Sequence, residues 1–151
     1  MELKPDLLRD VAIFGGLNDE TLKALLSRAS RIEVARGDHF MREGEMGTSF
    51  FVLERGKVSV TKASGDATIH LCDFEPGAVF GEMSLLAVRP RSASIRSVED
   101  CIALEFTNSS LFDLYEAEPG QFAMLVMNLG REVARRLWET NQRLFEATCG
   151  D

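Results

Sequence analysis

The sequence predicts a mostly β fold with flanking helices, an antiparallel β-roll of jelly-roll-like type between an N-terminal helix and a long C-terminal helix. Short segments rich in β-branched and aromatic residues occupy about residues 31–107. Glycines separate these segments at close spacing, which is typical of tight reversals and not of long βαβ units. Apolar residues recur at helical spacing before and after this region.

The helix before the roll begins near Asn18 or Asp19, since either side chain can cap it. Its apolar positions are Leu22, Leu25 and Leu26. The strand segments that follow are short and are separated by turn residues. They are Ile32–Val34, His39–Met41, Phe50–Leu53, Val58–Val60, Thr68–Leu71, Ser92–Ile95 and Cys101–Leu104.

Helical periodicity returns over about residues 108–147, where Leu111, Leu114 and Tyr115 predict a short amphipathic helix and Pro119 can occupy the first turn of another. The last helix carries an apolar seam at spacings of 3, 4, 4, 3 and 4, with one polar interruption. The seam positions are Val126, Leu129, Val133, Leu137, Thr140 and Leu144. This pattern predicts a homodimer through the C-terminal helices, and the alternative is that the seam packs on the protein's own roll.

Composition favours one cytoplasmic globular domain spanning residues 1–151, with 45% hydrophobic and 27% charged residues. The formal charge of −7 disfavours nonspecific attraction to nucleic acid, and the apolar runs are too short for membrane insertion. Three scattered cysteines suit reduced thiols. Four arginines of the C-terminal stretch are interpreted as a solvated helix face. They are Arg131, Arg135, Arg136 and Arg143.

The strongest functional signal is the run Phe80–Leu86 followed by Arg89–Ala93. Residues 82–87 can form a short helix whose free N-terminal amides favour a phosphate, and Arg91 can add a bidentate contact to the same oxygens. Glu82 would be repelled by a phosphate unless it accepts a hydrogen bond, and a ribose 2′-hydroxyl supplies such a donor. Alternatively, Glu82 only stabilises its helix N-terminus and pairs with Arg91.

Residues 80–93 resemble the phosphate-binding cassette of the cyclic-nucleotide-binding domain family. The resemblance extends to the turn residues 37–47 and to the hairpin of residues 51–60, and it covers roughly residues 14–144. It implies a sensor that binds cAMP, with cGMP as the alternative, and that needs no cofactor, no metal and no catalytic residue. Occupancy would be transmitted through the C-terminal helix, with an unidentified protein as a possible partner. Within that helix, Gly130 could be a hinge or a close-packing position.

The resemblance also implies particular roles for residues of this sequence. Arg91 and Ser92 would bind the cyclic phosphate, and Gly81 and Glu82 the ribose hydroxyl. The remaining site residues implied are Met83 and Ser84 in the cassette, Val60, Leu71 and Cys72 around the base, and Thr140 and Asn141 at the adenine edge. Trp138 could cover the base by stacking or could pack at a helix interface.

Other classes of protein are possible from the sequence. A cupin-like metalloenzyme would share the architecture, but His39 and His70 are the only histidines and form no paired motif. A nucleotide-independent interaction module could use the roll and its seam helix, although four matched cassette positions argue against an abandoned site. Only six residues follow Phe145, so no helix-turn-helix domain and no direct DNA binding are expected.

Overall fold

The computed structural model describes residues 10–149, apart from the side chain of Ser84. A short 3-10 helix, Ala12–Phe14, precedes four α-helices and eight strands. The helices are α1 (Asp19–Arg28), α2 (Glu82–Ala87), α3 (Asn108–Ala117) and α4 (Pro119–Cys149). The strands are β1 (Ser30–Val34), β2 (His39–Met41), β3 (Ser49–Arg55), β4 (Val58–Ser64), β5 (Ala67–Phe74), β6 (Val79–Phe80), β7 (Ser94–Ser97) and β8 (Cys101–Thr107).

The strands form two four-stranded antiparallel sheets, in the orders β1-β8-β3-β6 and β2-β7-β4-β5. This arrangement confirms the predicted mostly β fold with flanking helices. The two-residue strand β6 was not predicted, because a segment that short carries no readable alternation. The predicted strand Ser92–Ile95 starts two residues later, at Ser94, which leaves Ser92 outside the sheet.

The core has two parts because β3 is buried on both faces. Phe50 and Val52 point to a cluster between the first sheet and the helices, whereas Phe51 and Leu53 point to a cluster between the two sheets. Successive side chains of a strand alternate between its faces, so a continuous apolar run is what such a central strand requires. The helices therefore pack on the outside of a filled roll.

The predicted capping of the first helix is confirmed, and a second helix is capped in the same way. The Asn18 side chain accepts a hydrogen bond from the Thr21 amide at 2.8 Å, at the start of α1. Thr107 does the same for the Ser110 amide at 3.2 Å, at the start of α3. Pro119 occupies the first turn of α4, and this one helix runs on to Cys149.

The proximal half of α4 is fixed to the body of the protein. Leu125 and Leu129 are buried in the helix-side cluster. Between them, the side-chain amide of Asn128 donates to the Ile13 and Gly15 carbonyl oxygens at 2.9 and 2.8 Å. The distal half differs, because Leu137 and Leu144 are 59% and 65% exposed. The seam therefore packs on the protein's own body at one end and is largely exposed at the other, where Thr140 and Leu144 border a cleft.

No helix within residues 10–149 combines the length and the apolar character that crossing a membrane requires.

Candidate ligand-binding site

A cleft of about 1130 Å³ lies between the roll and the distal half of α4. Strands β4 and β5, the segments around α2 and Arg91, and one face of α4 line it. The structure brings nine of the predicted site residues to this cleft. They are Val60, Leu71, Cys72, Gly81, Glu82, Met83, Arg91, Ser92 and Thr140.

Gly81 precedes the first residue of α2, and any other residue at this position would displace a neighbouring side chain. Its φ of +85° lies in the left-handed region, which L side chains rarely adopt. A Cβ at this position would lie 2.7 Å from Nη1 of Arg91. That close approach exists because Arg91 Nη1 donates to the Gly81 carbonyl oxygen at 2.9 Å. Gly81 thus orients the guanidinium toward the cleft.

Arg91 is held by its backbone as well as by its side chain. Its amide donates to the Glu45 carbonyl oxygen at 2.7 Å, and its carbonyl oxygen accepts from the Gly44 amide at 2.9 Å. The residue is only 6% exposed, and this burial lowers the pKa of the guanidinium from its ordinary value, against the opposing charges of Glu105, Glu45 and Glu82. A buried cation beside a cleft is a strong position for binding an anion.

Glu82 is a buried carboxylate, 2% exposed, at the N-terminus of α2. Burial raises its pKa, and the positive charge of Arg136 opposes that increase. Arg136 Nη1 donates to Glu82 Oε1 at 2.7 Å, and Arg136 Nη2 donates to the Val79 carbonyl oxygen. The guanidinium also lies over the Phe74 ring, 4.4 Å from its centroid. One arginine of α4 therefore ties the helix to three parts of the roll.

The interpretation of the C-terminal arginines as a solvated face is wrong for Arg136, whose side chain is 22% exposed. Arg135 and Arg143 also line the cleft, and Arg135 pairs with Glu132 and Glu139 on its own helix. A signal for Arg136 was present in the sequence. It precedes Thr140 by four residues and therefore lies on the same helix face as the predicted base contact.

A β-bulge shapes the apolar end of the cleft. Val60 pairs with Cys72 but Thr61 pairs with His70, so Leu71 is the extra residue of β5. The bulge explains how two consecutive residues, Leu71 and Cys72, both line the cleft. Burial raises the pKa of the Cys72 thiol, which keeps it protonated and suits it to packing against a ligand.

Two other residues to which a contact with the nucleotide was assigned lie away from the cleft. Asn141 is exposed and does not line it, because one residue along a helix rotates a side chain by about 100° away from the face of Thr140. Trp138 is likewise exposed and does not line the cleft. Ser84 belongs to α2, but its side chain lies outside the part of the structure that is described.

The family model described as "Cyclic nucleotide-binding domain" matches residues 31–118. Among curated proteins, the CRP-like cAMP-activated global transcriptional regulator of Mycobacterium tuberculosis is 26% identical over 147 residues, which are 97% of this chain and 64% of that protein. The acetyltransferase Pat of Mycolicibacterium smegmatis is 29% identical over 125 residues, 83% of this chain and 37% of that protein. The cGMP-dependent protein kinase 2 of Homo sapiens is 28% identical over 137 residues, 87% of this chain and 18% of that protein.

Two solved structures also resemble this chain in fold. The catabolite activator protein of Thermus thermophilus superposes with a TM-score of 0.77 at 30% identity, over 91% of this chain and 63% of that one. A cyclic nucleotide-binding domain from Methylobacillus flagellatus shares the fold with a TM-score of 0.85 at 22% identity, over 97% of this chain and 83% of that one. The family model covers more than half of the sequence, including the cleft's β-roll wall and the cassette, and the chain belongs to the cyclic nucleotide-binding domain family.

Proposed function

We propose that this chain binds a cyclic nucleotide in the cleft, with a preference for cAMP, and signals occupancy through α4 without catalysing a reaction. The observation that supports this most directly is a pair of opposite buried charges at one cleft: Arg91, 6% exposed, and Glu82, 2% exposed. A phosphate beside a ribose hydroxyl would complement both residues, because the guanidinium can donate to phosphate oxygens and the carboxyl group can accept from the hydroxyl.

The phosphate end of the ligand would lie against Arg91 and Ser92. The ribose 2′-hydroxyl would donate to Glu82, whose carboxyl group Arg136 orients by a hydrogen bond. The purine would then extend between Val60, Leu71 and Cys72 on the roll and Thr140 on α4. One relative is named as cAMP-activated and another as cGMP-dependent, and the two nucleotides differ only in the base, so selectivity would come from the base contacts.

The preference for cAMP follows from the hydrogen bonding of Thr140. Its Oγ1 donates to the Arg136 carbonyl oxygen at 2.8 Å, so the hydroxyl presents acceptor lone pairs to the cleft. The adenine amino group is a donor and matches an acceptor, whereas guanine has a carbonyl oxygen at that position. Because a hydroxyl can rotate and Ser92 could reach the guanine amino group, the expected preference is modest.

Calorimetric titration with cAMP and cGMP tests this function. We expect saturable binding of both nucleotides, with cAMP tighter. Arg91→Leu should weaken binding by about thirtyfold or more, since losing one partner of a buried charge pair costs about 2–5 kcal/mol. Arg89→Leu is the matched control, because it removes the same charge from an exposed neighbour on the same segment. Equal loss in both variants, or no binding to the parent protein, would contradict the proposed site.

We further propose that the distal half of α4 forms a homodimer. Leu137 and Leu144 belong to the predicted seam and are exposed here, and a second copy of the same helix is the partner that a seam of coiled-coil spacing fits. Light scattering at micromolar concentration should give the dimer mass for the parent and a monomer for Leu137→Lys with Leu144→Lys. Gln142→Lys is the control for added charge. A monomeric parent, with and without cAMP, would remove this proposal.

A further inference from the structure

The segment that carries Ser92 lies outside the regular strand pairing. The ladder between β4 and β7 ends with the pair Thr61 and Ser94, so the backbone between Arg91 and Ser94 runs past β4 without a ladder bond to it. Arg91 is fixed on the other side, by Gly44 and Glu45. Strand pairing therefore does not fix the position of Ser92.

Lys62 and Glu43 supply the missing connection. Lys62 follows the last residue of β4 that pairs with β7. Its Nζ donates to the Ser92 carbonyl oxygen and to Glu43 Oε1, both at 2.8 Å. Glu43 Oε2 accepts from the Ala63 amide at 2.9 Å, and the Glu43 amide donates to Ser94 Oγ at 2.9 Å. The β4–β5 hairpin, the turn before β3 and the cassette are thereby joined through two side chains.

The charges of this pair are well matched to that role. The hydrogen bond from the Ala63 amide and the one from Lys62 lower the pKa of the Glu43 carboxyl, so the carboxylate is ionised at neutral pH. Lys62 also lines the cleft on the side of Ser92. An ordinary exposed ion pair contributes little on its own, but this one also fixes a backbone carbonyl next to the proposed phosphate contacts.

We propose that Lys62 and Glu43 act as a clamp that positions the Ser92 segment for the phosphate of the bound nucleotide. The inference rests on the proposed function of the cleft. Both are positioning residues, since the ammonium of Lys62 is directed to Glu43 and to the Ser92 carbonyl oxygen. A segment held in its binding geometry before the ligand arrives loses less conformational entropy on binding. The hairpin thus contributes to phosphate affinity without a side chain of its own on the phosphate.

The experiment is a double-mutant cycle on binding, with Lys62→Met, Glu43→Gln and the double variant, titrated with cAMP and with adenosine. We expect each single variant to bind cAMP about three- to tenfold more weakly. The double variant should bind cAMP no more weakly than the weaker-binding single variant, because either substitution alone already breaks the clamp. Adenosine, which lacks the phosphate, should bind all four proteins equally, so the ratio of cAMP to adenosine affinity falls only in the variants.

Lys57→Met is the matched control, since Lys57 lies beside the same strand and is also in an exposed ion pair, with Asp73 at 3.4 Å. It should bind cAMP as the parent does. Loss of cAMP affinity in Lys62→Met alone, with Glu43→Gln unchanged, would make Lys62 a direct phosphate contact and overturn the clamp. Binding by both variants within about twofold of the parent would overturn it as well. A parent that binds neither cAMP nor cGMP would remove the proposed function itself, a result distinct from the other two.

Discussion

Replacing Arg136 with methionine tests how strongly α4 is held to the roll. Methionine keeps an unbranched stem over Phe74 but leaves the buried Glu82 carboxylate without its cation. Breaking a fully buried ion pair costs about 3–5 kcal/mol and breaking an exposed one less than about 1 kcal/mol. Because the Arg136 side chain is 22% exposed and that of Glu82 is 3% exposed, we expect a loss of about 2–3 kcal/mol.

The loss should depend on pH in a defined direction. Burial already raises the pKa of Glu82 above its ordinary value, and removing the Arg136 charge raises it further. A carboxyl whose folded pKa is raised contributes stability that is fully present below its ordinary value and is lost as the pH rises through the raised value. The deficit of Arg136→Met relative to the parent should therefore be largest at neutral pH and should shrink under acid conditions, where Glu82 carries its proton.

Urea denaturation at about pH 7.5 and about pH 5 measures both effects. Arg135→Met is the control, because Arg135 is 53% exposed in its ion pairs and should cost less than about 1 kcal/mol at either pH. Adding Glu82→Gln to Arg136→Met should restore part of the stability by removing the unpaired charge. The reasoning is refuted if Arg136→Met costs no more than Arg135→Met, or if its deficit is the same at both pH values.

Four further outcomes are expected. Gly81→Ala should lower the free energy of unfolding by about 1–3 kcal/mol and weaken cAMP binding, since a Cβ adds left-handed strain and displaces Arg91. Val88→Gly should stabilise the protein slightly, because Val88 has a φ of +51° that glycine adopts without strain. Thermal denaturation of both variants measures these two effects. Asn128→Ala should cost about 1–3 kcal/mol in the same assay, because one buried and one partly buried carbonyl oxygen lose the donor that Asn128 supplies. Hydrogen exchange with and without saturating cAMP should show added protection in the cassette and in residues 131–145, and protection of the cassette alone would contradict signalling through α4.

The roll could be predicted from sequence because its strands obey simple rules. Phe50 to Leu53 read as a buried strand, and each is buried against one cluster or the other. The bulge at Leu71 could not be predicted, since it depends on the register between β4 and β5, and that register is set by partners distant in the chain. For the same reason, Leu71 and Cys72 were both assigned to the base pocket only through the resemblance.

The cassette was predictable because its chemistry is local. Gly81, Glu82 and Arg91 lie within eleven residues of one another. Their types predict an anion beside Arg91 and leave two interpretations of Glu82 open, a hydroxyl acceptor or a partner of Arg91. Arg136 was missed because its partner is 54 positions away and because an arginine on a long helix is usually solvated. Its significance depends on how α4 docks, which Asn128 and Leu129 decide.

The position of Arg136 also defines what a nucleotide can add to the link between roll and helix. Since Arg136 already joins α4 to Glu82 and Val79, a ligand would change the docking equilibrium only by the further contacts it makes with α4, and the proposed function places one of them between the base and Thr140. The proximal half is fixed by Asn128 and Leu129, so the ligand acts on the distal half, where the proposed dimer seam lies.

Coupling between two binding events is reciprocal. If cAMP tightens the dimer by some factor, dimerisation must tighten cAMP binding by the same factor, and titrations above and below the dimer dissociation constant should differ by that amount. Equal cAMP affinity at both concentrations would mean that the seam and the cleft are independent.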